Sequence, residues 1–191
     1  QLMSQLYEEK QTYSDLSMLD PLTGLYNRRG LQNRLENVLQ NHSGNHFVLL
    51  LDIDHFKAYN DNYGHAMGDQ ALARVSVAIR DAVRSRDIVT RYGGEEFLVL
   101  LTNVNAAIAR QLARRIRQYV LNLDIPHRFN ERVATHVTIS AGVAQMFNND
   151  FELALANADR ALYVAKNQGR NTILCWEALS AANKTQPADM L

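Results

Sequence analysis

The sequence predicts an α+β fold, a mixed and mainly antiparallel central sheet flanked by helices, and three observations carry the prediction. HFVLLLDID (46–54) is a short continuous apolar run closed by acids, the pattern of a central strand. DIVTRY (87–92) and EFLVLL (96–101) are strand-like runs split by Gly93-Gly94, which reads as a hairpin. Around them lie segments with apolar residues one helical turn apart, giving the order α, β, α, α, β-hairpin, α, β, α, β. A hairpin inside that order fits helices packed on a mixed sheet rather than a doubly wound parallel one.

Taken in order, residues 1–19 stand apart. Leu2, Leu6, Tyr13 and Leu16 fall close to a heptad stripe with Glu8, Glu9 and Lys10 between them, which predicts an N-terminal linker or stalk helix. Such a helix either lies on its own domain or ends a coiled coil pairing two chains. The globular part is expected over 20–176. Asp20-Pro21 reads as a helix start, and Leu31, Leu35, Val38 and Leu39 follow at helical spacing. A loop or short helix covers HFKAYNDNYGH (55–65), then a helix runs from Gly68 to Ser85. Ile108, Leu112, Ile116 and Val120 mark the next helix, and Phe151, Leu155, Ala158, Leu162 and Ala165 a later one. Alternation from Val133 to Val143 predicts a strand with one buried face, and NTILCW (171–176) closes the sheet. Polar, proline-containing 177–191 is expected to be a flexible tail.

The bulk numbers narrow the function classes. The 191 residues suit one domain with extra length at its ends, and a 47% hydrophobic share supplies a core. Twenty basic against twenty acidic side chains give a formal net charge of 0, which argues against a polymerase or any other binder of a nucleic-acid polymer. A single cysteine, Cys175, excludes an internal disulfide framework and suits a reducing compartment. No run approaches the roughly 20 apolar residues of a membrane span.

RYGGEEFLVLL (91–101) sets two glycines and two adjacent acids against an apolar run. Neighbouring carboxylates repel unless a cation or solvent relieves them. If the hairpin pairs with the 46–54 strand, Asp52, Glu95 and Glu96 meet at one place. An oxygen-only donor set suits Mg²⁺ or Mn²⁺, and no Cys/His spacing for zinc is present. A pair of acids at a strand end is, by itself, more often a solvated edge, and Gly93-Gly94 serves a tight hairpin as well as the approach of a bulky anion. The surroundings favour the site: Lys57, Asn60, Asp61 and Asp69 in neighbouring segments, with Lys166 and Arg170 downstream. Lysine and arginine bind phosphate, and an Asp can accept from the adjacent ring and amine donors that guanine offers. Together these residues describe a metal-dependent nucleotide site.

The blocks DPLTGLYNRR (20–29), DIDHFKAYND (52–61), YGHAMGDQAL (63–72), RYGGEEF (91–97) and AKNQGRN (165–171), in this order and spacing, resemble the GGDEF family of diguanylate cyclases over roughly residues 20–175. The resemblance implies a sheet like that of nucleotide cyclases and polymerase palms, and condensation of two GTP into cyclic di-GMP and two pyrophosphates. It implies two Mg²⁺ or Mn²⁺ per active site on Asp52, the Ile53 carbonyl, Glu95 and Glu96, with Glu95 and Glu96 as the catalytic acids. Asn60 and Asp69 would read guanine, while Phe56, Lys57, Gly93, Gly94, Lys166 and Arg170 would line or clamp the triphosphate. It further implies a homodimer, because one domain offers one GTP. RSRD (84–87) resembles the family's inhibitory product site, with Arg84, Asp87 and Arg115 as its residues; the plain alternative is a helix-end salt bridge. A cytoplasmic domain is implied, with an upstream sensor or an inner-membrane anchor compatible with the parent protein. The alternative function is an inactive domain that senses GTP or cyclic di-GMP.

Overall fold

The computed structural model describes residues 17–41 and 44–189, with side chains as far as residue 182. The helix expected within 1–19 therefore lies outside the described residues up to position 16. From Ser17 on, the chain forms a turn, and Leu19 bridges to Tyr26.

Five strands, β1 (His46–Ile53), β2 (Ile88–Arg91), β3 (Glu96–Leu101), β4 (Ile139–Met146) and β5 (Ile173–Cys175), form one sheet in the order β2-β3-β1-β4-β5. All neighbours are antiparallel except β4 and β5, which are parallel. The predicted mixed, mainly antiparallel sheet is what forms. Its helices are α1 (Arg28–Asn41), α2 (Phe56–Tyr63), α3 (His65–Ala82), α4 (Ala106–Asn122), α5 (Phe151–Asn167) and α6 (Trp176–Asp189).

Two cores explain why β1 is apolar throughout. Phe47, Leu49, Leu51 and Ile53 pack with Leu72, Val75 and Ile79 of α3 and Leu112 and Ile116 of α4. Val48 and Leu50 point the other way, onto Leu31 and Leu35 of α1 and Ala154, Ala158 and Leu162 of α5. A strand covered on both faces needs no polar alternation. On β4, a Cβ at Gly142 would run into the α5 backbone at Ala158 and Leu162. The glycine thus lets α5 lie close on the sheet, and that seats Lys166 over the carboxyl end of β1.

Four expectations are corrected. Asp20 starts no helix: its Oδ2 accepts from Thr23 N at 2.9 Å and Thr23 Oγ1 at 2.7 Å, closing a turn. The helix instead starts at Arg28, with Asn27 Oδ1 accepting from Gly30 N at 2.9 Å. The strand expected over 133–143 begins only at Ile139 and is buried on both faces nearly throughout, because it lies inside the sheet. Residues 126–138 instead form a looped segment, tied by His127 N to Thr135 O at 2.9 Å. The helix read as Gly68–Ser85 runs from His65 to Ala82. Where a flexible tail was expected after Trp176, the chain continues as α6, anchored at its start by Gln145 N donating to Glu177 Oε1 at 2.6 Å.

Candidate active site at the end of the central strand

The antiparallel pairing of β1 with β3 sets Asp52 opposite Glu96, and the pairing with β4 sets it opposite Ser140. Ile53 N donates to Glu95 O at 3.3 Å, fastening the hairpin tip to the end of β1. The three acids chosen from sequence are thus brought to one corner. Asp52 is only 9% exposed. Lys166 Nζ of α5 donates to its Oδ2 at 2.5 Å, while Oδ1 is buried with no hydrogen-bond partner among the described residues. Burial pushes the Asp52 carboxyl pKa up, Lys166 opposes that, and Glu95 and Asp54 reinforce it. Glu96 is also raised, first by burial and then by Asp52 and Asp159, with Lys166 and Arg28 pulling the other way.

Among the described residues no three His, Cys, Asp or Glu side chains stand close enough to hold an ion by themselves. Lys166 has its ammonium on Asp52, and the acids repel one another. The donor chemistry nevertheless fits a hard divalent cation: every carboxylate here is an oxygen donor, and Asp52 Oδ1 is a desolvated acceptor with nothing to accept.

Asp54 does different work from Asp52. It accepts from Thr138 Oγ1 at 2.7 Å, Ser140 Oγ at 2.6 Å and Asn171 N at 3.0 Å, and it is 2% exposed. A carboxylate so fully satisfied is a brace, holding β4 and the segment after α5 against β1.

The glycines of the hairpin tip answer a question the sequence left open. Neither Gly93 nor Gly94 has a left-handed φ. A Cβ on Gly94 would meet nothing within 4 Å, and one on Gly93 only Glu96 Cβ at 3.7 Å. The turn itself therefore does not require glycine at either position. It is held instead by Tyr92 N to Glu96 O at 2.8 Å, by Arg28 Nε to Tyr92 O at 2.7 Å and by Arg91 Nε to Gly94 O at 3.0 Å. The Arg28 guanidinium also lies 3.9 Å from the Tyr92 ring centroid, and Arg91 pairs with Asp20 at 3.2 Å. Arg28, Arg91, Asp20 and Asp54 support the site yet are not among the site residues read from sequence. Arg28, Asp20 and Arg91 were visible in the quoted blocks, but their partners are 64 and 71 residues away.

The remaining residues divide. Asn60 of α2 and Asp69 of α3 share a corner: the Asn60 side chain fills the space beside Gly68 that a Cβ would need. Asn60 Oδ1 is buried without a partner among the described residues, and Asp69 is exposed. Lys57 is exposed, whereas Phe56 is buried, parallel to the Tyr59 ring at 6.0 Å, and supports α2 from beneath. Arg170 sits at φ 62° in the segment after α5, its Nη1 3.4 Å from Lys166 O. Arg84 and Asp87 lie away from this corner, at the β2–β3 side. There the Arg84 fork meets both Asp87 oxygens at 2.7 and 3.0 Å and donates to Thr102 O at 2.6 Å, while Arg115 Nε reaches Ala82 O at 2.6 Å. The Asp87 side chain is fully buried by this pairing, and Arg84 keeps 31% exposure.

Over 182 residues the chain is 40% identical to diguanylate cyclase DosC of Escherichia coli K12, covering 93% of this chain and 38% of that protein. It is 36% identical over 174 residues to diguanylate cyclase VdcA of Vibrio cholerae, covering 90% and 51%. The chain thus spans about half of one of these curated relatives and 38% of the other. The coiled coil and GGDEF domain of DgcB from Caulobacter crescentus, crystallised in complex with c-di-GMP, superposes with a TM-score of 0.80 at 26% identity, over 91% of this chain and 93% of that one. The active GGEEF domain of a diguanylate cyclase from Vibrio cholerae gives 0.66 at 31% identity, over 78% and 96%. The family described as "Diguanylate cyclase, GGDEF domain" matches residues 17–172. That span takes in β1 to β4 and α1 to α5 with every side chain of the corner just described, and on it the chain belongs to the GGDEF-domain diguanylate cyclase family.

Proposed function

We propose that this domain condenses two GTP molecules into cyclic di-GMP with release of two pyrophosphates. The observation that carries the reading is the partnerless, buried Oδ1 of Asp52 beside Glu96 and Lys166. An acceptor that has lost water without gaining a donor is costly unless a cation meets it. Asp52, Glu95, Glu96 and the Ile53 carbonyl are the residues that would hold Mg²⁺ or Mn²⁺, as a pair in each site. When bound, such ions acidify a 3′-hydroxyl and neutralise charge on the α-phosphate and departing pyrophosphate.

The chain's own groups do the rest. Lys166 exchanges its bond to Asp52 for a triphosphate oxygen, and Arg170 adds a planar fork beside it. Lys57 adds a further positive charge, with Phe56 holding α2 in place beneath. Gly93 and Gly94 keep the hairpin tip free of side chains where the phosphates pass. Asp69 accepts from guanine's ring N–H and amine, and Asn60 supplies the second base contact. Glu95 assists deprotonation of the attacking hydroxyl, and Glu96 completes the acidic set.

One domain presents one GTP, so two chains face each other as a homodimer, and the segment 1–19 is where a sensor or anchor in the parent protein would set that pairing. GTP supply makes the domain cytoplasmic, with an inner-membrane anchor compatible with the parent. Product inhibition is assigned to Arg84, Asp87 and Arg115, with the Arg84–Asp87 pair exchanging its mutual bonds for phosphate and guanine. The test is mass-spectrometric detection of cyclic di-GMP after incubating the purified chain with GTP and Mg²⁺, beside Glu95→Ala. Product from the native chain alone supports the reading. Bound nucleotide without product at high protein concentration overturns it in favour of a sensor.

A further inference from the structure

On the side of the sheet away from the hairpin, α4 turns three arginines toward β5. Arg110, Arg114 and Arg117 follow at i, i+4 and i+7, so they stack along one helix face. With Asn171, Ile173 and Cys175 they wall a cleft of about 420 Å³. Arg117 is fixed there, its Nε donating to Asn171 O at 2.9 Å and Oδ1 at 3.0 Å. Arg110 and Arg114 are exposed and pair with no carboxylate among the described residues. The nearby acid, Glu177, already accepts from Gln145 N at 2.6 Å. Both guanidiniums lie close enough to the Cys175 thiol to draw its pKa down against the burial that pushes it up.

Three like charges thus converge on one concavity with an apolar back of Ile173 and Cys175. Guanidinium forks a turn apart match the oxygens of a phosphate group, and a planar fork is the donor that chemistry favours. The cleft also exceeds a phosphate in size and leaves room for an attached organic body. We propose that this cleft binds the phosphate group of a small phosphorylated molecule, as a site separate from the corner at the end of β1.

Cys175 is the chain's single cysteine and lines the cleft, so its reactivity reports on that place alone. The rate of its modification by N-ethylmaleimide, a neutral reagent, is measured in inorganic phosphate and in chloride at matched ionic strength. A phosphate held by Arg110 and Arg114 covers the thiol and cancels the pull that favours its thiolate, so the native chain should react about threefold or more slowly in phosphate. In Arg110→Ala/Arg114→Ala, both exposed positions where alanine favours the helix, the two salts should give the same rate. Equal rates in the native chain, or protection undiminished in the double variant, overturn the proposal. The native comparison decides even if the variant misfolds, and because no GTP turnover is read, its failure is separate from failure of the cyclase reading.

Discussion

Adding one methyl group at Gly68 should separate stability from guanine binding. The residue lies in the first turns of α3 with helical φ, and the three nearest atoms a Cβ would meet all belong to the Asn60 side chain. The backbone can therefore stay, and Asn60 must move. Replacing glycine by alanine inside a helix favours folding by about 0.8–1.0 kcal/mol, so Gly68→Ala should melt no lower than the native chain. Displacing Asn60 removes one base contact and leaves its partner unsatisfied, about 1–3 kcal/mol. At about 1.4 kcal/mol per tenfold, GTP affinity should fall about 5- to 150-fold. Thermal melts and equilibrium GTP binding, run on Gly68→Ala, Asn60→Ala and the double variant, test this. Because both changes act through one side chain, the double variant should bind no worse than Asn60→Ala alone. An unchanged affinity in Gly68→Ala, or losses that add in the double variant, would refute the reasoning.

The two aspartates of β1 and its end should respond in opposite ways. Asp54→Ala strips an acceptor from Thr138, Ser140 and Asn171 and should cost about 3 kcal/mol in urea unfolding. Asp52→Asn should cost less than about 1 kcal/mol, since its Lys166 partner is one-third exposed, yet should abolish cyclic di-GMP formation. His127 predicts a pH dependence. The buried ring faces His55 O through Nε2 at 3.1 Å and accepts from Phe129 N through Nδ1 at 3.3 Å, so the neutral form satisfies both neighbours. Burial, only partly opposed by the bond to His55, lowers its pKa. The unfolded chain then takes up a proton first, and stability should fall as pH drops below about 6.5, by at most about 1.4 kcal/mol per pH unit. Denaturation midpoints between pH 7.5 and pH 5.5 should show that component missing from His127→Gln. Arg84→Ala should keep the initial cyclase rate while losing inhibition by added cyclic di-GMP; inhibition of native strength would return the Arg84–Asp87 pair to a structural brace.

What the sequence determined by itself follows from period and chemistry. The unbroken apolar run of β1 can bury both faces only between helical layers, and Leu112, Ile116 and Val120 cannot line one buried face except as a helix, at whose start Ile108 stays exposed. Placing Asp52 beside Glu96 needed only the assumption that the hairpin pairs with β1, which it does, yet no three acids among the described residues stand close enough to hold an ion by themselves. Element boundaries were less readable. The alternation of 133–138 looked like strand because local pattern cannot see that Asn130 and His127 draw that segment into a loop. The helix after Trp176 was hidden by a polar composition that says nothing of the sheet edge it lies against. Which acid is a brace and which is left wanting a partner was decided by tertiary structure alone. Asp52 and Asp54 are two residues apart with like side chains, but Asp54 meets three donors, from the end of the 126–138 loop, β4 and the segment after α5, while Asp52 meets one ammonium. Those donors lie more than 80 residues away in the chain, and no local spacing encodes a contact that only the closing of the sheet creates.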